Sequence, residues 1–463
     1  MKSVPDMNGY VITNTRYLAP GANGLPELRF GCIAVRGDSI VEVREGPASG
    51  TEFESFQQID GSDRIVSPGL INAHTHTVLL VLRGTVEDIE GNLVYQYMVP
   101  ASYLLEPEER AAVARMGCLE AIRSGTTTIV DPLRFVDNYA QPMADSGIRL
   151  YLCESAADAV TTEIMSSGYR FDKEWGETFL KRTRALIETH HNKSDGRVQV
   201  LIAAHAPDNC SPWMLKQLKD LAEEYELKRT VHLSQMISEV EQVKSLHNKT
   251  STEYLRDNEW LDDELLAVHW SFCTESDVEI LASHDVHFVH CPASMSAKGP
   301  HRLPIKAILE SGINIMLGTD NMTEDMFHAM KMAQTIHRGA YGRSVTPSPR
   351  QVFNYATLNA AKALGRDDLG HISIGAKADL TFFDRNAPVL NPHVSIVSNL
   401  VHYGHPGTVT DVMVDGEFVM RDRAVLTMNE ADVLEKAQNA TDAMWSRFQD
   451  KITGIPLPYR DPV

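Results

Sequence analysis

The chain has 463 residues, 43% of them hydrophobic, and its 43 Lys and Arg stand against 62 Asp and Glu, a formal charge of −19. Such a length fits one large domain with a smaller one beside it. The acidic balance repels a phosphate backbone or an anionic membrane surface, which speaks against nucleic acid or a membrane as partner.

Six scattered cysteines (Cys32, Cys118, Cys153, Cys210, Cys273 and Cys291) show no CxxC spacing. They read as reduced thiols in a cytoplasmic protein, not as a disulfide framework. Residues 1–9 hold no apolar signal-peptide core, and no apolar run approaches the ~20 residues of a membrane span.

From residue 10 to about 65 the pattern predicts short strands, Tyr10–Ile12, Cys32–Val35 and Ile40–Val43, punctuated by Gly and Pro. An apolar run through Ile65, Val66, Leu70 and Ile71 reads as a buried strand that ends at His74 and His76. Beyond it, strands alternate with helical stretches. Strands are predicted at Thr126–Val130, Arg149–Cys153, Val198–Ile202, Arg229–His232, Leu266–His269, His287–His290 and Ile313–Leu317. Helices are predicted at Glu106–Arg123, Pro212–Glu226, Thr274–Ser283 and Pro304–Gly312.

Eight such strands, counting the first, are the arithmetic of a distorted (β/α)8 TIM barrel in the α/β class. A doubly wound open sheet is the rival, but no glycine-rich dinucleotide turn follows the first strand. A helix over Arg350–Leu364 and further strands at Ala378–Phe383 and Val409–Met420 follow, then a helix from Glu430 to Lys451. The expected organisation is a small β-sandwich built from residues 1–65 and 370–425, a barrel over 66–369, and a C-terminal helix and tail, 426–463, packed on the barrel.

In such a barrel the working site lies at the C-terminal strand ends. Those ends carry His74 and His76, His205, His232, His269, His290 and Asp320. One strand-tip histidine alone is as readily a hydrogen-bonded core residue as a ligand. The set His74, His76, His232 and Asp320, however, has the chemistry to hold one divalent ion, zinc or iron. Cys291 reads as a buried thiol and Arg83 as a structural residue.

The strings PGLINAHTHTVLLVLRG, EAIRSGTTTIVDP, AAHAPDNCSP, HLSQMISEVEQV, HFVHCPASMS, LGTDN and IGAKADLTFFD resemble the amidohydrolase superfamily over nearly the whole chain. More narrowly they are similar to its branch of cytosine, guanine, adenosylhomocysteine, pterin and s-triazine aminohydrolases. That resemblance implies a barrel with a composite β-sandwich, one catalytic metal held by His74, His76, His232 and Asp320, and a homo-oligomer. By the same resemblance His269 hydrogen-bonds the attacking water or the substrate, and His205 lines the substrate pocket. With Ala203-Ala204-His205 where a carbamylated lysine would stand, a single ion is implied and not a pair.

The implied activity is hydrolytic removal of an amino or substituted-amino group from a small heteroaromatic ring. A bound dication makes hydroxide available at neutral pH, and Asp320 accepts the proton as general base. One departure stands out. The family's glutamate three residues past the fifth-strand histidine is Gln235 here. An amide orients a ring nitrogen but cannot shuttle a proton, so another acid such as Glu154 at the third strand's end is a candidate substitute. The alternatives are cleavage of a cyclic amide, expulsion of a non-amine leaving group, or an inert binding protein. A second departure is Met295, where relatives usually carry Asn, giving a more apolar pocket wall.

Overall fold

The computed structural model describes residues 9–46, 53, 55–299, 301–343, 346–452, 454 and 456. Most of the N-terminal stretch read for a leader (1–8) and the last residues of the tail (457–463) lie outside the described residues. Among the described residues no helix is long and apolar enough to cross a membrane.

Two nine-stranded sheets organise the chain. The first is the barrel, whose strands in order are Leu70–Asn72, Thr126–Leu133, Arg149–Ala156, Ile202–Ala204, Arg229–Leu233, Leu265–His269, His287–His290 and Ile315–Leu317. A short piece, Val198–Val200, pairs with the third strand, so the single predicted fourth strand is split at Leu201, whose N–H bonds the Leu152 carbonyl at 3.0 Å. Every pairing around the barrel is parallel.

Closure runs through the first and eighth strands: the Ala73 N–H reaches the Leu317 carbonyl at 2.9 Å, and the Asp320 N–H reaches the His74 carbonyl at 3.0 Å. Gly318 makes this approach feasible, since a Cβ there would lie 2.7 Å from the His74 carbonyl oxygen.

Period-two alternation decides what fills the barrel. Ile71, Val130, Tyr151, Leu201, Ala203, Val268, Val289 and Met316 point inward and form one buried cluster. Their neighbours one residue along pack outward against the helices in the larger core.

The terminal segments combine into the second sheet. Its order is Ala424–Val425, Glu417–Arg421, Val409–Val414, Leu380–Asp384, Arg64–Pro68, Gly9–Pro20, Pro26–Arg36 and Ser39–Glu45. The joint between the chain ends is antiparallel, from Leu380 opposite Pro68 to Asp384 opposite Arg64. At the junction with the barrel, buried Arg149 makes a bidentate bond to Asp379 at 2.9 and 3.0 Å and also contacts Asp415.

Three predicted elements come out differently. The first strands are longer than their apolar cores, because Gly9–Pro20 and Pro26–Arg36, after a register shift between Ile12 and Thr15, stay paired out to Pro20 opposite Pro26. The stretch 409–420 is a hairpin turning at Asp415 and Gly416. The helix over 350–364 is two helices, Pro349–Tyr355 and Leu358–Ala363: Thr357 leaves the helical region, and the Ala356 carbonyl accepts from Ile71 N–H instead.

The final helix, Glu430–Lys451, packs on the barrel's helical layer. Trp445 donates its indole N–H to the Val81 carbonyl at 2.9 Å, and the Phe448 ring stacks on Tyr97.

Candidate metal centre and active site

The strand ends turn sharply as they leave the barrel. Ser234, His269, Trp270, Asp320 and Met322 all take a left-handed backbone, with φ of 49°, 84°, 53°, 66° and 67°. Each costs roughly 1–3 kcal/mol for a non-glycine residue and persists only where its surroundings hold it. Those surroundings are visible. The Glu239 carboxylate accepts the Ser234 and Gln235 N–H groups, both at 2.8 Å. Behind the first and eighth strands, Glu324 accepts from Thr75 at 2.7 Å and Asn72 at 3.0 Å, and Thr75 reaches the Asp320 carbonyl at 2.9 Å.

These turns bring His74, His76, His232, His269 and Asp320 together. His74, His76 and His232 form one group whose ligand atoms all lie within 4.8 Å of each other, and His74, His269 and Asp320 form a second. His76 Nε2 lies 3.4 Å from His232 Nε2 and 3.4 Å from Asp320 Oδ1, and His74 Nε2 lies 3.7 Å from that same oxygen. Ligand atoms ~2.0–2.1 Å from a tetrahedral ion are ~3.3–3.4 Å apart, so the spacing suits zinc.

Unmet hydrogen-bonding capacity makes the same case. Both His74 nitrogens, His269 Nε2 and Asp320 Oδ1 are buried without a partner among the described residues. Left so, each would cost the desolvation of a lone polar group. His232 directs Nδ1 to the His205 carbonyl at 2.5 Å, which fixes the proton there and leaves the Nε2 lone pair for the centre.

Electrostatics agree with that geometry. Burial, then the neighbouring His74, holds His76 well below the usual histidine range. Burial likewise lowers His269 strongly and brings His232 down to about 3, so these imidazoles are neutral and able to ligate. Burial alone would raise the Asp320 carboxyl, but the Lys298 ammonium leads the opposing influences, and the group is held well below the carboxylate range. Lys298 Nζ sits 2.5 Å from Asp320 Oδ2, which Ser294 Oγ also contacts, leaving Oδ1 directed at the histidines.

The adjoining cavity is lined by His76, His205, His232, Gln235 and Asp320 together with Arg134 and Ser155. His205 is held by Asn209 and its ring lies 5.2 Å from that of His232. Gln235 borders both this cavity and a second, more open one lined by His269, Met295 and Lys298. Met295 thus supplies an apolar wall on that second side.

Two expected residues lie elsewhere. Glu154 points out of the barrel, where Arg182 Nε at 2.8 Å and the Val136 N–H at 3.1 Å hold it. Its inward neighbour on the strand is Ser155, so alternation removes Glu154 from the site as a substitute acid. His290 also faces outward, its Nε2 3.0 Å from that of His337. Arg83 is structural, donating to the Met322 carbonyl at 2.6 Å and pairing with Glu120. Burial raises the Cys291 thiol well above its ordinary range, as befits an inert core residue.

Sequence reasoning missed Lys298, Ser294 and Arg134. The first two stand four residues apart at the turn that follows the seventh strand, a spacing that puts both on one side of a helix. Arg134 was reachable by carrying the inward alternation of the second strand from Val130 through Pro132.

A family model described as the amidohydrolase family matches residues 65–419. A 5-methylthioadenosine/S-adenosylhomocysteine deaminase of Thermococcus sibiricus is 35% identical over 367 residues, covering 78% of this chain and 84% of that protein. Among solved structures, a zinc-bound adenosine deaminase from Xanthomonas campestris superposes with a TM-score of 0.84 at 23% identity, covering 96% of this chain and all of that one. The zinc complex of the atrazine chlorohydrolase TrzN from Arthrobacter aurescens TC1 gives 0.84 at 20% identity, over 93% of this chain and all of that one. At those identities the two structures speak to the fold. The chain belongs to the amidohydrolase family, and so to the hydrolases.

Proposed function

From that membership we propose that the chain hydrolyses an amino or substituted-amino group off a small N-heteroaromatic ring, using one zinc ion. The observation that carries the reading is that the buried, unpartnered atoms of His74, His269 and Asp320 form one close ligand group, and that His74 also belongs to a second with His76 and His232. In this reading His74, His76, His232 and Asp320 hold the ion. When bound, zinc supplies Lewis acidity and lowers the pKa of water towards neutrality.

The chain's own groups do the rest. Asp320 Oδ1, the carboxylate oxygen not engaged by Lys298 and Ser294, takes the proton of the attacking water. His269 Nε2 donates to the oxygen as charge develops on it. Gln235 and His205 orient the ring through hydrogen bonds that fix the attacked carbon. Exclusion of solvent by the buried cluster strengthens each of these interactions. The named activity of the Thermococcus relative supports an aminopurine-type ring.

A second reading, expulsion of a leaving group that needs no proton, is favoured by Gln235 at the cavity wall. The chlorohydrolase among the structural neighbours is named for such a reaction.

The deciding experiment is a panel of aminated and chlorinated purines, pyrimidines, pterins and triazines with zinc-loaded enzyme, scored for released ammonia, amine and chloride. Amine release supports the first reading, chloride release alone the second, and no release from any ring overturns both.

We further read the protein as cytoplasmic and homo-oligomeric, with zinc in preference to iron. All six cysteines are free and buried, which supports a reducing compartment. Elemental analysis and light scattering test the metal and the assembly.

A further inference from the structure

Arg134 follows the second barrel strand, two residues beyond Pro132 on the inward face, and lines the cavity beside the metal centre. It is 3% exposed, and its Nε and Nη2 have no hydrogen-bond partner among the described residues. Among the described residues no carboxylate pairs with it. Tyr103 lies 5.9 Å below the guanidinium, at the edge of cation–π range, and satisfies none of its N–H groups.

Next to it, at the same level of the third strand, Ser155 is 1% exposed and its Oγ is likewise unpartnered. An unpaired buried cation is among the costliest groups a fold can retain, and the usual outcome is that a carboxylate is recruited to it. Here the one carboxylate among the cavity's lining residues is Asp320, already engaged by Lys298 and Ser294. The cavity's lining therefore holds one cation, Arg134, while the charge of its one anion, Asp320, is already countered by Lys298.

We infer that Arg134 and Ser155 form an oxygen-acceptor subsite, and that the ring processed here carries a carboxylate or oxo oxygen on the edge facing the second and third strands. The inference rests on the hydrolysis reading above and narrows its substrate class. A guanidinium presents two parallel N–H groups to a carboxylate and one or two to a ring oxo group, and Ser155 adds a third donor. His205 lines the same cavity as Arg134 and Ser155, its ring 5.2 Å from that of His232, so a ring held at Arg134 by one edge presents another towards His232. Bare rings leave Arg134 and Ser155 buried and unmet, which discriminates against them.

The test uses the zinc-loaded full chain and three matched rings, 4-aminopyrimidine, its 2-oxo form and its 2-carboxylate. Wild type is expected to favour an oxygen-bearing ring by ~10- to 100-fold in kcat/KM, the range of hydrogen bonds to a charged group. Arg134→Met should bring that ratio to near one, with Arg134→Lys between. The oxo and carboxylate arms show which oxygen the subsite takes.

Equal rates on all three rings in wild type, or an unaltered ratio in Arg134→Met, would overturn the inference and leave the hydrolysis reading standing. Should no ring lose its amine, calorimetric binding of pyrimidine-2-carboxylate against pyrimidine decides instead; identical affinities in wild type and Arg134→Met overturn it. Ligand-free Arg134→Met should also melt no lower than wild type, because it removes an unpaired buried charge. A lower melting point would mark Arg134 as a structural residue and sink the subsite.

Discussion

Replacing Asp320 by Asn is the sharpest probe of the centre. The carboxylate divides its labour: Oδ2 accepts from Lys298 at 2.5 Å and from Ser294, while Oδ1 faces His76 at 3.4 Å and His74 at 3.7 Å. An amide cannot fill both posts. With its oxygen on Lys298, the NH2 group points at the histidines and cannot ligate; turned over, it meets the Lys298 ammonium donor to donor. The first arrangement removes a ligand, the second sets two donors against each other at Lys298, and both remove the proton acceptor.

Loss of a general base alone is worth ~10²–10⁴ in rate, or ~2.7–5.4 kcal/mol of barrier. Turnover should therefore fall at least ~10³-fold once weakened zinc binding is added. Amine release under saturating zinc separates the two contributions, and elemental analysis after dialysis reports the ion. The fold should persist, because Thr75 bonds the Asp320 backbone carbonyl and the Glu324 carboxylate, contacts that the substitution does not touch. Turnover within tenfold of wild type at full zinc occupancy would refute the assignment of Asp320 as base.

Other outcomes follow from separate parts of the structure. Gln235→Glu places an ionisable group at the wall of the cavity, and kcat/KM for amine release should acquire a new limb on the alkaline side where that acid must be protonated; a superimposable pH profile would reduce Gln235 to packing. Arg149→Met leaves the Asp379 and Asp415 carboxylates facing each other near the junction of barrel and sheet, a loss of ~3–5 kcal/mol that calorimetry reads as a lower melting temperature; a wild-type midpoint would show the cluster to be dispensable. Stripping metal with a chelator should abolish turnover and zinc should restore it; full activity in metal-free protein contradicts the centre altogether.

Much of the barrel was legible because its strands are apolar on both faces, so they stand out as short continuous runs between amphipathic helices. The terminal strands were harder to bound. In the outer half of the first hairpin, Arg16, Glu27 and Arg29 interrupt the apolar pattern beside buried Tyr17, Leu18 and Ala19, so hydrophobicity marked only the inner half of each strand. Helix breaks such as Thr357 depend on a distant partner, the Ile71 N–H, and carry no local signal. For the site, spacing found the histidines and Asp320. It could not tell which way a strand-tip side chain turns once the backbone leaves the β region. His269 reaches the centre only because φ is 84° there, while His290, at a similar position, turns away to His337.

That contrast explains why reading strand ends succeeds for a set and fails for single members. Alternation is strict while the backbone is extended, so Ser155, Arg134 and His205 follow from Cys153, Val130 and Ala203 by counting in twos, and Glu154 is excluded by the same count. Past the last ladder bond the direction of each side chain is set by whatever holds the turn. For Ser234 and Gln235 it is the Glu239 carboxylate; for Asp320 it is the bond of its N–H to the His74 carbonyl and the pull of Lys298. A ligand set assembled from three strand tips thus needs three separately braced turns. The bracing groups Glu239 and Glu324, themselves buried, do as much to define the centre as the atoms that face it.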